Sequence, residues 1–274
     1  MAGRWLSSGR LDDSGPVAAR VDTTVAHIAR VYDYWLGGKD NYEADRIAAT
    51  EVIAAMPNIV ATAQANRAFL RRAVQYLVAE AGIRQFLDIG TGLPTAQNTH
   101  EVAQQIAPES RIVYVDNDPI VLAHARALLT STPEGATAYL EADARDPEKI
   151  LREAARTLDF GQPVAVMMLA VMQFIPDADG PHEIVFRLME AVPPGSHLAM
   201  SNATLDFDPS GSPGADQYNA RVATQLTPRG RAEIARFFEG LDLVEPGLVP
   251  LPQWRALASP GQQISLYAAV GSKA

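Results

Sequence analysis

The spacing of hydrophobic residues changes once along the chain, near residue 84. Before this point, apolar residues recur every three or four positions, which is typical of amphipathic helices. The spacing predicts three helices, which read "TTVAHIARVYDYWL", "RIAATEVIAAM" and "QANRAFLRRAVQYLVAEAG". Pro57 predicts the end of the second helix, and Gly82 stands where a glycine cap would end the third.

Beyond residue 84, short apolar runs alternate with segments of helical spacing. The predicted strands read "RQFLDIG", "RIVYVD", "ATAYLEAD", "PVAVMMLAV", "GSHLAMSNA", "DLVEPGLVPL" and "ISLYAAVGS". The predicted helices between them read "PIVLAHARALL", "PEKILREAARTL", "PHEIVFRLMEAV" and "PRGRAEIARFF". Such alternation predicts crossover connections, and therefore an α/β fold with a mostly parallel sheet and helices on both of its faces.

These patterns divide the chain into three regions. Residues 1–20 are rich in Gly, Ser, Arg and Asp, and we expect a flexible N-terminus there. Residues 21–83 are expected to form a helical lid or substrate region, in one compact unit with an α/β domain at 84–274. The longest loop predicted inside this domain is "DFDPSGSPGADQ", at 206–217.

Composition narrows the classes of function. The chain has no cysteine, which excludes disulfides, zinc–cysteine sites and cysteine nucleophiles. Its formal net charge is −9, so an extended nucleic acid is not an expected partner. No apolar run is long enough to span a membrane, and the N-terminus lacks the apolar core of a signal peptide, so we expect a cytoplasmic protein.

The stretch "FLDIGTGLPT" carries the first candidate chemistry. A strand that leads into Gly90-Thr91-Gly92 and then a helix is typical of a nucleotide-like ligand site, although an ordinary turn would also fit. The full dinucleotide pattern needs a third glycine where Thr95 stands, and the helix is predicted to begin there. Asp88 would repel a pyrophosphate, and it favours a ligand with a cationic amino-acid end.

The next two predicted strands also end in carboxylates. Asp116 is placed to accept hydrogen bonds from two ribose hydroxyls, and Asp143 from an adenine amino group, with a turn as its alternative role. Asp118 and Asp146 each precede a proline at a predicted helix start, so we interpret them as N-caps. Three successive strands therefore end in candidate ligand-binding carboxylates.

This arrangement resembles a class I S-adenosylmethionine-dependent methyltransferase. The motifs "ARVYDYWLGGKDNYEADR", "NRAFLRRAV", "FLDIGTGLPT", "VYVDNDP" and "EADARDP" together resemble the actinobacterial methyltransferase family first catalogued as a domain of unknown function. The resemblance covers roughly residues 22–272. It implies a Rossmann-like, seven-stranded, mostly parallel sheet with an antiparallel last strand and an N-terminal helical lid. It also implies S-adenosylmethionine as cofactor and S-adenosylhomocysteine as product.

The resemblance assigns cofactor-binding roles to a set of positions and implies no metal site. The glycine turn would hold the methionine end, residues 116–117 the ribose and adenine edge, residues 143–145 the adenine, and residues 169–171 the reacting methyl. The full set is Tyr32, Arg67, Asp88, Gly90, Thr91, Gly92, Asp116, Asn117, Asp143, Ala144, Arg145, Leu169, Ala170 and Val171. One departure is Gln173, which stands where members of the family often carry histidine.

The motif at residues 31–46 concentrates aromatic residues in a chain that has few of them. They are Tyr32, Tyr34, Trp35 and Tyr42. In this fold the residues before the first strand commonly cover the cofactor, so we expect these rings near the sulfonium. Lys39 or Arg67 would then meet the methionine carboxylate. The alternative is that the aromatics bury against the sheet and Arg67 pairs with Asp40 or Asp45.

The acceptor is predicted by elimination only. Methylation of cytosine C5 needs a cysteine, and the Asn/Asp-Pro-Pro-aromatic motif that holds a flipped base is absent after the fourth predicted strand. We therefore expect a small-molecule acceptor and assign no catalytic residue. A non-catalytic S-adenosylmethionine-binding regulatory or interaction protein stays open, and Thr95 and Asp88 argue against a nicotinamide-dependent oxidoreductase.

Overall fold

A computed structural model describes residues 22–94, 97–121, 130–207, 219, 225–256 and 264–274. The predicted flexible segment 1–20, Thr95 and most of the loop at 206–217 lie outside these residues. No helix within the described ranges combines the length and the apolar character that crossing a membrane requires.

Helices and strands follow the predicted order. The helices are α1 (Ile28–Trp35), α2 (Glu43–Ala55), α3 (Ile59–Ala79), α4 (Thr99–Ile106), α5 (Pro147–Ala154), α6 (Pro181–Glu190) and α7 (Arg231–Arg236). The strands are β1 (Gln85–Ile89), β2 (Arg111–Asp116), β3 (Ala136–Glu141), β4 (Ala165–Leu169), β5 (His197–Ala203), β6 (Asp242–Leu243), β7 (Val249–Pro250) and β8 (Leu266–Ser272). Residues 119–121 are helical and begin the helix predicted after β2, whose remainder lies outside the described residues.

The eight strands of the described part of the chain form one sheet, in the order β3-β2-β1-β4-β5-β8-β6, with β7 also paired to β8. Strands β1 to β5 are parallel, and β8 runs antiparallel to β5, β6 and β7. The predicted α/β fold is confirmed. The eighth strand arises because "DLVEPGLVPL" divides into β6 and β7 at a turn where Gly247 has a φ of +85°. The strand order reverses between β1 and β4, which opens a crevice at their carboxyl ends.

The sheet separates two hydrophobic layers, because alternate residues of each strand face opposite sides. Leu87 and Val113 face the layer that contains α5, α6 and α7. Phe86 and Ile112 face the layer that contains α3 and α4, where Phe69 is fully buried. Helix α3 therefore packs directly on the sheet, whereas α1 and α2 form a separate small core with its first turns.

The turn between α1 and α2 is built around a buried carboxylate. Asp33 accepts hydrogen bonds from the Asp40 amide at 3.0 Å and from Asn41 Nδ2 at 2.8 Å. A Cβ on Gly38 would overlap this carboxylate, so only glycine fits there. Gly37, with a φ of +79°, and Gly38 thus serve a tight turn within the aromatic-rich motif.

A second buried carboxylate in this motif fixes the start of α2. Asp45 accepts hydrogen bonds from the backbone amides of His27, at 2.9 Å, and Tyr42, at 2.8 Å. The Arg30 guanidinium approaches it at 3.3 Å. Much of the polar content of the motif is therefore structural, because it joins α1 to α2 through hydrogen bonds to two buried carboxylates.

Several predicted helix caps are confirmed. Asp146 accepts from the Lys149 amide at 3.0 Å, and Asp118 accepts from the Ile120 amide at 2.9 Å. Gly82 has a φ of +70° just after α3. Helix α4 begins at Thr99 with Asn98 as its N-cap, and the predicted helix start at Thr95 lies outside the described residues.

Replacing Phe69 should show how strongly α3 is bound to the sheet. The Phe69 ring is 0% exposed and meets the Trp254 ring edge-to-face at 5.3 Å. We expect Phe69→Ala to lower the free energy of unfolding by about 3–5 kcal/mol, measured by chemical denaturation. Phe186 is 57% exposed on α6, so Phe186→Ala should change it by less than about 0.5 kcal/mol. Equal losses in both variants would contradict this packing.

Candidate functional site

A cavity of about 230 Å³ lies at the carboxyl ends of β1 to β4, beneath α1 and the first half of α3. Its wall contains every position that the sequence assigns to the cofactor, from Tyr32 and Arg67 to residues 169–171. We call this space the charged cavity, because Arg67, Asp88, Asp116, Asp143 and Arg145 all line it. The structure therefore brings the predicted residues together, and their individual roles toward the cofactor remain predictions.

The glycine turn has the backbone geometry that its sequence predicts. Gly90 and Gly92 have φ values of +71° and +67°, which side chains other than hydrogen rarely tolerate. A Cβ on Gly90 would clash with the Val171 side chain, whereas a Cβ on Gly92 would meet no atom within 4 Å. The turn thus packs tightly against the end of β4 on one side and leaves open space on the other.

Asp116 ties this turn to the end of β2. One carboxylate oxygen accepts from the Gly92 amide at 2.9 Å, and the other accepts from the Asp118 amide at 2.9 Å. Burial raises the pKa of Asp116, although these two amides oppose the shift. Each oxygen keeps a second lone pair, so the carboxylate can still accept a pair of hydroxyl donors from a ligand.

Asp88 lies beside it at the end of β1. Its Oδ2 accepts from the Thr99 hydroxyl at 2.6 Å, and no described residue donates to its other oxygen. Burial raises the pKa of Asp88 to about 6, with the Thr99 bond and the charge of Arg67 opposing the shift and Asp116 adding to it. A cationic ligand group would complete the bonds of this carboxylate and stabilise its ionised form.

Arg67 reaches the cavity from α3. Its Nη2 donates to the Gln97 carbonyl at 3.2 Å and approaches Asn98 Oδ1 at 3.4 Å, so it also holds the loop before α4. The arginine that approaches Asp45 is Arg30, not Arg67 as the alternative interpretation had it. Arg67 is thereby fixed at the same end of the charged cavity as the glycine turn.

The opposite end of the charged cavity holds an ion-paired carboxylate. Arg145 donates to Asp143 at 2.7 Å and to Asp179 at 3.1 Å. Burial would raise the pKa of Asp143, but the hydrogen bonds and charge of Arg145 outweigh it, so the pKa is lowered. Asp143 is thus a stable anion with a fixed orientation, next to Asn117 on the cavity wall.

Of the aromatic residues in the motif at 31–46, the charged cavity contacts only Tyr32 among the described residues. The prediction that the other rings lie there is wrong. Trp35 is buried toward α2 instead, where its Nε1 donates to the Ala49 carbonyl at 3.3 Å. Tyr42 lies at the start of α2 against Arg30, and Tyr34 packs in the core of α1 and α2. Lys39 is exposed in the turn.

Other wall residues escaped sequence reasoning. His27 lines the charged cavity, and its Nδ1 lies 2.9 Å from Asp118 Oδ2. Asn66 lines it too and donates to the Tyr32 hydroxyl at 3.3 Å. His27 lies before the quoted motifs, and Asn66 begins the motif "NRAFLRRAV" but has no role assigned from sequence. The approach of α1 and α3 to the sheet brings both residues to the site.

A second cavity, of about 180 Å³, lies beside the first. We call it the apolar cavity, because most of its wall comes from side chains such as Trp35, Met56, Leu205 and Leu226. The two cavities share the wall residues Ile28, Tyr32, Asn66, Ala170 and Phe174. Ala170 has a φ of +57°, unusual for a residue with a side chain, at the point where β4 ends between the cavities.

The sheet order, the glycine turn and the carboxylates at the ends of β1, β2 and β3 define a class I S-adenosylmethionine-dependent methyltransferase. Within that class, residues 14–274 match the family model described as S-adenosyl methyltransferase, so the chain belongs to this family. The family's methyl donor is S-adenosylmethionine, and the chain is therefore a methyltransferase.

Two solved structures are similar along most of the chain. A DUF574 family protein from Streptomyces avermitilis is 49% identical, with a TM-score of 0.89 over 92% of this chain and 99% of that one. A protein from Thermobifida fusca, described as a candidate methyltransferase, is 41% identical, with a TM-score of 0.84 over 92% and 96%. These sources agree with an actinobacterial origin.

A more distant neighbour shares the fold alone. An S-adenosylmethionine-dependent methyltransferase from Anabaena variabilis is 14% identical, with a TM-score of 0.51 over 74% of this chain and 84% of that one. No curated protein sequence matches the chain.

Affinity for S-adenosylmethionine should depend on pH through Asp88. The raised pKa means that the carboxyl takes up a proton as the pH falls through about 6, and a neutral carboxyl no longer attracts a cationic amino group. We expect calorimetric affinity to fall between about pH 7.5 and about pH 5, by up to about tenfold per unit below the pKa. Asp88→Asn should bind S-adenosylmethionine more weakly than wild type at about pH 7.5, and its affinity should change less with pH.

The stability of the same variant provides a control. Because folding raises this pKa, the folded protein holds a proton that the unfolded chain releases, and Asp88 costs stability as the pH rises through about 6. Asp88→Asn should therefore unfold at an equal or higher denaturant concentration than wild type near neutral pH. A wild-type pH profile of binding in Asp88→Asn would contradict the assigned role.

Proposed function

We propose that this methyltransferase transfers the methyl group of S-adenosylmethionine to a small-molecule acceptor. The observation that carries the proposal is the pair of adjoining cavities, one charged and one apolar, with Ala170 in the wall of both. A protein that only bound the cofactor would need the charged cavity alone. The enclosed space beside it favours transfer over the non-catalytic alternative.

The residues of the charged cavity fit the groups of the cofactor. The unpaired oxygen of Asp88 suits the cationic amino group, and the Arg67 guanidinium suits the carboxylate of the same methionine end. The free lone pairs of Asp116 suit the two ribose hydroxyls. The open space over Gly92 lets a ligand approach the backbone closely.

The bound cofactor supplies a methyl group activated by its positive sulfur. A lone pair of the acceptor forms the new bond to the methyl carbon, the electron pair of the broken carbon–sulfur bond stays on sulfur, and the acceptor's proton leaves to water. The protein positions the two reactants and excludes bulk water. Holding reactants in the right geometry can by itself accelerate a reaction strongly. Residues 169–171, at the end of β4, would hold the two reactants in line.

We also propose that the N-terminal helical region acts as the lid of this site, with α3 as its base on the sheet. His27 and Tyr32 reach the charged cavity from the start and middle of α1. The Tyr32 hydroxyl donates to the Ala63 carbonyl at 3.1 Å, which ties α1 to α3 over the cavity. The Tyr32 ring, rather than its hydroxyl, would then face the sulfonium.

A titration and a transfer assay test the proposed function. Calorimetry should detect binding of S-adenosylmethionine and of S-adenosylhomocysteine, and no binding of NADH. Incubation with methyl-labelled S-adenosylmethionine and pooled small-molecule extracts should then move label into a product that is not protein. Binding of both sulfur ligands with no labelled product from any pool would support the non-catalytic alternative.

Replacing Asp116 should weaken cofactor binding. We expect Asp116→Ala to lose about 1.5–3 kcal/mol of S-adenosylhomocysteine binding, since charged acceptors make the stronger hydrogen bonds. The affinity of Asp116→Asn should lie between those of wild type and Asp116→Ala, because asparagine keeps one acceptor oxygen. Asp242→Ala, at an exposed position in β6, is the matched control and should bind like wild type. Unchanged affinity in Asp116→Ala would remove Asp116 from the site.

A further inference from the structure

We propose that the apolar cavity is the acceptor site, and that it takes a neutral, mostly apolar molecule whose oxygen accepts a hydrogen bond from the Gln173 side chain. The inference rests on the proposed function, because it names the substrate class of the same transfer. Gln173 is thereby a specificity-determining residue.

The first argument is charge. Among the residues that the structure describes, no Asp, Glu, Lys, Arg or His side chain lines the apolar cavity, whereas several such side chains line the charged cavity next to it. An ionised group moved from water into such a wall would lose its hydration without gaining a partner. The acceptor must therefore be uncharged where it lies inside this cavity.

The second argument is the orientation of Gln173. The residue is 8% exposed, and its backbone is held by the Thr227 amide, which donates to the Gln173 carbonyl at 2.7 Å. The Ala203 amide donates to Gln173 Oε1 at 2.8 Å. Only the carboxamide oxygen can accept that bond, so the nitrogen must point the other way.

The nitrogen of this carboxamide has no assigned acceptor. Gln173 lines the apolar cavity, and its Nε2 donates to no acceptor among the described residues. Polar groups on mostly buried residues are usually paired, so an NH₂ group that borders a cavity favours an acceptor atom on the molecule that fills that cavity. A hydroxyl, carbonyl or ether oxygen would supply that atom.

Tyr32 and Asn66, the polar residues that line both cavities, already have hydrogen-bond partners. The Tyr32 hydroxyl donates to Ala63 and accepts from Asn66, and Asn66 Oδ1 accepts from the Ser201 hydroxyl at 2.7 Å. Burial raises the pKa of Tyr32, so its phenol stays protonated at neutral pH. These residues shape the passage between the cavities, and we assign recognition of the acceptor to Gln173, whose Nε2 donates to no acceptor among the described residues.

Binding of three matched bicyclic probes tests the proposal in wild-type protein saturated with S-adenosylhomocysteine. Naphthol has the ring and the oxygen, naphthalene lacks the oxygen, and naphthoate carries a charge. Calorimetry should show that naphthol binds best, naphthalene binds more weakly and naphthoate does not bind. Naphthoate binding as tight as naphthol binding, or no binding of naphthol up to its solubility, would overturn the proposal.

Two variants and one matched control locate the binding. Ala55 lines the apolar cavity from the end of α2, so Ala55→Trp should fill the cavity and lower naphthol affinity at least about tenfold. Ala54 is exposed on the same helix, and Ala54→Trp should leave the affinity for naphthol unchanged. Gln173→Glu keeps the oxygen that Ala203 needs but replaces the donor with an acceptor, so the affinity of methoxynaphthalene, whose ether oxygen can only accept, should fall about tenfold and that of naphthalene hardly at all.

Affinity for S-adenosylhomocysteine distinguishes a failure of the proposed function from a failure of the acceptor-site proposal. Both variants should bind it within about twofold of wild type, which also shows that they fold. If S-adenosylhomocysteine fails to bind the wild type, the proposed function itself is wrong. If it binds normally and Ala55→Trp still binds naphthol like wild type, the proposed function stands and the apolar cavity is not the acceptor site.

Discussion

The Asp116 carboxylate is the interaction on which the site depends. It accepts the amides of Gly92 and Asp118, and so joins the loop after β1 to the loop after β2 across the carboxyl edge of the sheet. It acts beside a backbone bond between the same two elements, in which the Gly90 amide donates to the Val115 carbonyl at 2.8 Å. The arrangement has a cost, because burial raises the pKa of Asp116 and of Asp88 and disfavours both charges. The hydrophobic layers on either face of the sheet supply the stability that offsets it.

Charge is divided sharply across the two cavities. The charged cavity collects carboxylates and arginines at strand ends, where parallel strands direct their loops to one edge. The apolar cavity lies where α1, α2 and α3 meet the ends of β4 and β5, and its wall comes from their small apolar core. The N-terminal helices thus contribute to both spaces, and a cofactor and an acceptor of opposite character could lie side by side.

The sequence predicts the charged cavity well because its chemistry follows local rules. A change from helical to strand spacing locates β1, and acidic residues at the carboxyl ends of β1, β2 and β3 must meet at one edge. The direction of the aromatic side chains follows no such rule. Trp35 turns toward α2 because Asp33 and Asp45 fix the turn between the helices. The spacing of apolar residues does not predict which residues these two carboxylates contact.

The apolar cavity is beyond local prediction for a related reason. Its wall gathers residues from α2, α3 and the segments after β4 and β5, which are far apart in sequence. The role of Gln173 depends on a single long-range bond, from the Ala203 amide, that sets which way its carboxamide points. Residue type alone gives no sign of that orientation.

A crystal structure of the protein with S-adenosylhomocysteine would test the central claim most directly. The account predicts the ligand in the charged cavity, with its amino group about 3 Å from the Asp88 carboxylate and its ribose hydroxyls at Asp116. It also predicts that the sulfur faces Ala170 and the apolar cavity. A ligand bound elsewhere, or a sulfur turned toward solvent and away from the apolar cavity, would contradict it.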